Sequence, residues 1–304
     1  MCGVSGKTEG GSLNHPVMYM STGSHLGSMI IDVKGDSLHA AFINSTGTTV
    51  DYFDMVKPAS RVRVSMKVFL EGAFDQATSL MRDDLRSASL IPALEPYSTI
   101  FTHVGGGGES VAPAVVATTG STAIVDWVFL QLRNKSDPAV VLATRSALVR
   151  RDGQVVDMDG LSPVGFNVPV GDYFVSVRHR NHLGTMTSSP AHLNYSPTIV
   201  DFTQPSTATW GTDAQRNVNG TMALWTGDVL RDGTIRYIGQ DNDRDPILFR
   251  IGGSEPTQTA TGYDATDTGL DGTTRYLGQN NDRDPILLNI GGSIPTDVRL
   301  EQLP

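Results

Sequence analysis

The chain has 304 residues, with 23 Lys and Arg against 32 Asp and Glu and a formal net charge of −9. That balance excludes a general nucleic-acid binder, which needs a basic face to displace counterions from phosphate. The single cysteine, Cys2, excludes an internal disulfide and a cysteine-based zinc site. With 32 glycines and 16 prolines the chain favours short elements and turns over long helices, and no stretch approaches the ~18 apolar residues of a membrane span.

Residues 1–58 read as a β-meander. The string Ser5-Gly6-Lys7-Thr8 has the end of a phosphate-binding loop without its first glycine or a preceding strand, so no nucleotide site is expected there. Met29, Ile31 and Val33 alternate before a Gly35-Asp36 turn. Leu38, Ala40 and Phe42 follow, then a Thr46-Gly47 turn and Val50, Tyr52 and Phe53. Period-two patterns joined by such turns predict three antiparallel strands. Three short strands bury too little to stand alone, so they read as the edge of a larger sheet. The polar N-terminal string lacks the apolar core of a signal peptide. It fits either a cytoplasmic protein or a sequence that begins inside a longer chain, and the second is the expectation here.

Residues 61–203 read as an antiparallel β-sandwich. Val62, Val64, Met66, Val68 and Leu70 share one strand face, and further strands are predicted at 111–118, 123–132, 139–149, 154–158, 165–168, 173–178 and 199–202. Asp152-Gly153 and Gly171-Asp172 supply turns, and residues 75–90 read as a helical insert. His179-Arg180-Asn181-His182 closes a strand. Two histidines three apart on a strand end point to different faces, so loop histidines bonded to backbone are expected rather than a metal pair. The glycine run at 105–108 has no helix after it and reads as a flexible loop, not a phosphate cradle.

A Thr/Ser/Pro-rich linker, 204–220, leads into residues 221–304, which hold a tandem duplication. Asp228-Val-Leu-Arg-Asp232-Gly233 is echoed by Asp267-Thr-Gly-Leu-Asp271-Gly272 at a constant offset of 39, without insertions. Each copy runs on through Asn-Asp-Arg-Asp-Pro-Ile-Leu to Gly252-Gly253 or Gly291-Gly292. An Asn-Asp cap, a proline in the first helical turn and a glycine stop predict one short helix per copy. The two copies are expected to pack together, because neither buries its Ile/Leu face alone. From Thr221 onward there are 13 acidic and 7 basic residues, so most of the excess negative charge lies here.

In each copy two carboxylates four apart, followed by a glycine at the sixth place, suit a hard cation that takes six to eight oxygens. Asp228, Asp232 and the carbonyl of Thr234 would form half a shell, closed by Asp243 or Asp245. Asp267, Asp271, the carbonyl of Thr273 and Asp282 or Asp284 match in the second copy. Up to two Ca²⁺ ions are expected.

The two copies resemble dockerin-type repeats, relatives of EF-hand loops, in the variant that ends many secreted Bacteroidetes-type surface proteins; Glu301-Gln302-Leu303-Pro304 fits that variant. The resemblance implies calcium loops and a cohesin-like protein partner. This chain departs from it, with Leu230 and Gly269 where the third loop position is usually Asn or Asp, and with the closing acid beyond an insertion. Val168-Pro169-Val170-Gly171-Asp172-Tyr173 resembles the Pro-x-Gly-x-Tyr hairpin of prealbumin-like and carbohydrate-binding-like sandwiches. His15-Pro16-Val17-Met18-Tyr19, Ser28 to Val33 and Leu38 to Phe53 resemble the closing strands of a calcineurin-like metallophosphoesterase. All metal and catalytic motifs of that family are missing, and His15, His25 and His39 form no ligand cluster, so no phosphoester hydrolysis is expected.

The fold expected is thus mainly β: a meander, an antiparallel sandwich, and a small helical tandem calcium-loop module. The function expected is that of a non-catalytic C-terminal region of a secreted or cell-surface bacterial protein, serving binding, assembly or display through a protein partner or a surface glycan. Two alternatives stand beside it, an accessory region of a metallophosphoesterase and a glycan-binding adhesin module.

Overall fold

The structure is a computed structural model that describes residues 25–34, 37–56 and 61–304. Cys2, residues 5–8, His15, the turn expected at 35–36 and the segment 57–60 lie outside the described residues. The chain divides into two compact units, 1–60 and 61–304, and is mainly β. In the first unit β1 (Gly27–Lys34), β2 (Ser37–Asn44) and β3 (Thr49–Val56) form an antiparallel meander. Its register places Ile31, Ala40 and Phe53 in one row and Val33, Leu38 and Met55 in the next. The β2–β3 turn closes because Asn44 Oδ1 accepts the N–H groups of Thr46 (3.0 Å) and Thr48 (2.8 Å), while Gly47 takes φ +82°.

The second unit is built on one curled sheet of nine strands. Its strands are β4 (Val62–Lys67), then, after a separate small hairpin of β5 (Phe74–Asp75) and β6 (Leu80–Met81), β7 (Ile124–Asn134), β8 (Val141–Arg150), β9 (Gln154–Val156), β10 (Val164–Phe166), β11 (Gly171–Arg178), β12 (Thr185–Met186), β13 (Ala191–Leu193) and β14 (Thr198–Asp201). The sheet order is β10-β4-β9-β8-β7-β11-β12, with β13 on β11 and β14 parallel to β4. The expected two-layer sandwich is therefore a single sheet that curls on itself. Because β14 takes one edge of β4, β9 and β10 follow one another along the other.

β7 explains why curling suffices. Ten of its eleven residues are buried, so both faces are covered. Val128, Leu130 and Leu132 point into the concave core with Val64, Met66, Val175 and Phe202. Trp127 and Phe129 point outward against Tyr97 and Val111. There the segment 91–116 is fastened by Trp127 Nε1 to Pro92 O (2.9 Å) and by Tyr97 Oη to Trp127 O (2.8 Å). Two local expectations differ. Residues 75–90 are not a helix: Asp75 accepts from Ala77 N and Thr78 Oγ1, which turns the chain into the β5–β6 hairpin before a one-turn helix, α1 (Asp84–Ser87). Residues 111–118 hold a one-turn helix, α2 (Pro113–Val116), started by the fixed φ of Pro113 rather than a strand.

The residues expected as a linker, 204–220, are packed into this unit. Gln215 Nε2 donates to Phe202 O (2.8 Å), Trp210 meets the Phe174 ring edge-on, and β15 (Arg216–Val218) pairs with β16 (Thr221–Ala223). The duplication then follows as β17 (Thr234–Arg236), α3 (Arg244–Arg250) and β18 (Thr259–Thr261), repeated as β19 (Thr273–Arg275), α4 (Arg283–Asn289) and β20 (Val298–Leu300). The first strand of each copy pairs with the last strand of the other, β17 with β20 and β19 with β18. Ile235, Ile247, Ile286 and Ile290 from both copies share one core with Leu183 of the sheet unit. Burying each isoleucine stabilises by about 1.5–3 kcal/mol, and that gain needs both copies at once.

Candidate functional site

Each copy folds its loop around two buried carboxylates. In the first, Asp228 Oδ1 and Oδ2 accept the N–H groups of Asp232 (3.1 Å) and Gly233 (3.2 Å). Asp243 Oδ1 and Oδ2 accept those of Leu230 (3.0 Å) and Arg236 (2.8 Å). The second copy repeats the pattern: Asp267 accepts from Asp271 and Gly272, and Asp282 from Gly269 and Arg275. All four aspartates are buried. Burial, reinforced by repulsion from Asp243, Glu301 and Asp232, pushes Asp228 up to about 7. Burial likewise pushes Asp243 and Asp282 up to about 7. Burial raises Asp267 to about 6, opposed by Arg180.

The remaining predicted site residues divide. Asp232 is exposed at the loop, with Oδ1 accepting from Thr234 N (2.8 Å), and Asp271 does the same for Thr273 N (2.9 Å). Asp245 and Asp284 belong to the helix starts instead. Asn242 Oδ1 accepts Asp245 N–H and its Nδ2 donates to Asp245 Oδ2, and Asn281 treats Asp284 identically. Each of these acids also bonds its neighbouring arginine, Arg244 or Arg283. Asn242 and Asn281 are thus the residues whose side chains cap the helices.

The two loops differ in where one arginine points. Arg275 Nη1 donates to Asp271 Oδ2 (2.6 Å) and to Thr273 O (3.2 Å), two of the expected calcium ligands. Its counterpart Arg236 donates instead to Gln240 O and Asp241 O, leaving Asp232 and the Thr234 carbonyl free of it. The oxygen-only donors of the first loop fit a hard cation in kind. The second loop already holds a guanidinium at that place. Among the described residues no set of three or more His, Cys, Asp or Glu is arranged as a ready metal cage.

A second buried polar group welds the sheet to the repeats. Asp126 lies within the apolar run of β7 and is 0 % exposed. It accepts from Tyr263 Oη (2.5 Å), Arg180 Nη2 (3.1 Å) and Nε (3.3 Å), and Trp127 N (2.7 Å). Burial alone would raise its pKa, but Arg180 and the His179 hydrogen bond hold it at about 2. An ionised carboxylate only accepts, so His179 donates through Nε2 (3.1 Å). His182 Nε2 accepts from Gly72 N (3.2 Å), so its single N–H is on Nδ1 and is shared between Asn181 Oδ1 (2.8 Å), which can only accept, and His179 Nδ1 (3.0 Å). Both rings are neutral in this chain of donors, as burial, which lowers both pKa values, requires. Arg180 stacks on the Tyr263 ring at 4.2 Å and donates to Asp264 O, while Asn181 Nδ2 donates to the carbonyls of Ala265 and Asp267.

The histidines expected as loop histidines are therefore the middle of an interior network, and of the bonds their rings make only the one from Gly72 N is to backbone. Asp126 and Tyr263 escaped sequence reasoning; the one available signal was a lone carboxylate inside Ile-Val-Asp-Trp-Val-Phe. Asp126, His179, Arg180, Asn181 and His182 are buried and Tyr263 is half-buried, so the group holds structure. No protein family, curated protein or solved structure matches this chain.

Proposed function

We propose that this chain is a non-catalytic binding and display region of an extracellular or cell-surface protein, whose repeat pair is ordered by one calcium ion in the first loop. The observation that carries the reading is the contrast between the loops. Asp228 and Asp243 sit buried together with no ion pair to a cationic side chain among the described residues, whereas in the second copy Arg275 pairs Asp271 and the Thr273 carbonyl and Arg180 faces Asp267. Asp228, Asp243 and Asp232 with the carbonyl of Thr234 would hold the ion, which supplies the positive charge that two desolvated carboxylates lack. A repeat pair stiffened in this way would present its outer face to a partner protein or a surface glycan.

Calorimetry on the EDTA-stripped chain tests it. One calcium-binding event is expected, abolished by Asp228→Asn and retained in Asp267→Asn, and Arg275→Gln should add a second. Absence of binding heat, together with a melting temperature indifferent to calcium, would overturn the reading.

A further inference from the structure

The nine-stranded ladder has a split. β9 is three residues long and pairs with β8 only at Leu148 and Val149, so residues 142–146 of β8 face β10 without bonding to it. A cavity of 280 Å³ opens there, just below the ~300–1,000 Å³ typical of ligand pockets. The glycine run closes one end. Val104 N donates to Thr144 Oγ1 and Thr144 N to Val104 O (both 2.9 Å), and Thr144 Oγ1 donates to Gly105 O (3.1 Å). Gly105 to Gly108 all have positive φ, and a Cβ on Gly106 would sit 2.5 Å from Thr144 O. The run is thus a fastened lip, with glycine required by φ at all four positions and, at Gly106, because no side chain fits between it and β8.

Two arginines line the cavity and only one has charge to spare. Arg145 Nη2 donates to Asp157 (2.8 Å), and its Nε lies 3.3 Å from Glu109 Oε1. Arg61 has no acidic partner among the described residues, and its stem lies across Gly165, where an added Cβ would come 3.1 Å from Arg61 Cδ. The glycine amides divide in the same way. Gly107 N–H is taken by Glu109 and Gly108 N–H by Glu95, while those of Gly105 and Gly106, at the cavity, bond to nothing described. The walls beside them are apolar, with Val104 and Leu142 each 39 % exposed.

We propose that this split is a binding site for a small organic carboxylate of about one ring or one short branched chain, with Arg61 pairing the carboxylate and Val104 and Leu142 covering the body. A guanidinium matches a carboxylate with two parallel hydrogen bonds, and one uncompensated positive charge suits a monoanion better than phosphate. An aliphatic acid and an acidic sugar share this chemistry. Titration of the isotope-labelled chain with isovalerate, glucuronate and inorganic phosphate, followed by amide NMR, separates them.

Saturable shifts confined to residues 104–106, 142–145 and 165–168 are expected with one of the two carboxylates. Arg61→Gln should weaken that binding at least about tenfold, with Arg61→Lys between the two. Arg61 lies on the surface, so circular dichroism of the variants should match the parent. No carboxylate shift at these residues, phosphate binding as tightly as either carboxylate, or affinity unchanged in Arg61→Gln would each overturn the site. None of these readouts depends on calcium.

Discussion

Replacing Asp126 by Asn changes one oxygen for one nitrogen and should still cost the fold more than most surface changes together. The carboxylate is fully buried and balances Arg180, which is itself buried. Its pKa, held at about 2 against an ordinary 3.8, corresponds to about 2 kcal/mol of preferential interaction with the charged form. Because the folded value is depressed, that stability is present above pH ~4 and is lost as pH falls through about 2. In Asp126→Asn the larger cost is the guanidinium left buried without its hydrogen-bonded counter-charge, about 3–5 kcal/mol, with only the more distant Asp267 still facing it. For a unit of this size that is a fall of roughly 6–20 °C in Tm.

Thermal denaturation by circular dichroism gives the magnitude, and amide hydrogen exchange gives the location. The network joins β7 to residues 263–267, so protection should fall together in 124–134 and 259–275. A loss below about 1 kcal/mol would refute the charge-balance argument. Protection lost in β7 while the repeats stay unchanged would refute the weld. A cycle with Tyr263→Phe should show a coupling of about 0.5–3 kcal/mol, because the hydroxyl and the carboxylate are in direct contact.

Gly72→Ala should destabilise by at least about 1–3 kcal/mol in denaturant titration, because a Cβ there would lie 2.0 Å from the Thr268 carbonyl and force the repeats off the sheet. In EDTA, stability should fall as pH rises from about 4 to 7, since Asp228 and Asp243 bind protons more tightly folded than unfolded. Calcium at pH 7 should restore it, and a flat EDTA profile in urea titrations would contradict the paired, desolvated carboxylates.

Much of the local structure was legible because its causes are local. The meander follows from alternation and from turn residues, and Asn44 and Gly47 make the bonds and the φ that such a turn demands. The helix stops at Gly252 and Gly291 are equally local, both with positive φ. The misreadings at 75–90 and 111–118 came from apolar residues whose spacing suits more than one element. There Asp75 and Pro113 decided the outcome through hydrogen bonds and ring geometry, not periodicity. In the site, the loop aspartates could be found, but the choice between Asp243 and Asp245 could not. It depends on Asn242 capping the helix with Asp245 and so leaving Asp243 to turn inward.

By itself the sequence determined an acidic, mainly β chain with a duplicated segment, because composition, turns and an offset of 39 are properties of neighbours along the chain. Tertiary structure alone decided that each copy lends its last strand to the other, that residues 204–220 pack instead of linking, and that Asp126, His179, Arg180 and Tyr263 meet. These outcomes join residues tens of positions apart. Their common cause is that buried apolar faces and desolvated charges must find partners, and no spacing rule says where in the chain those partners lie.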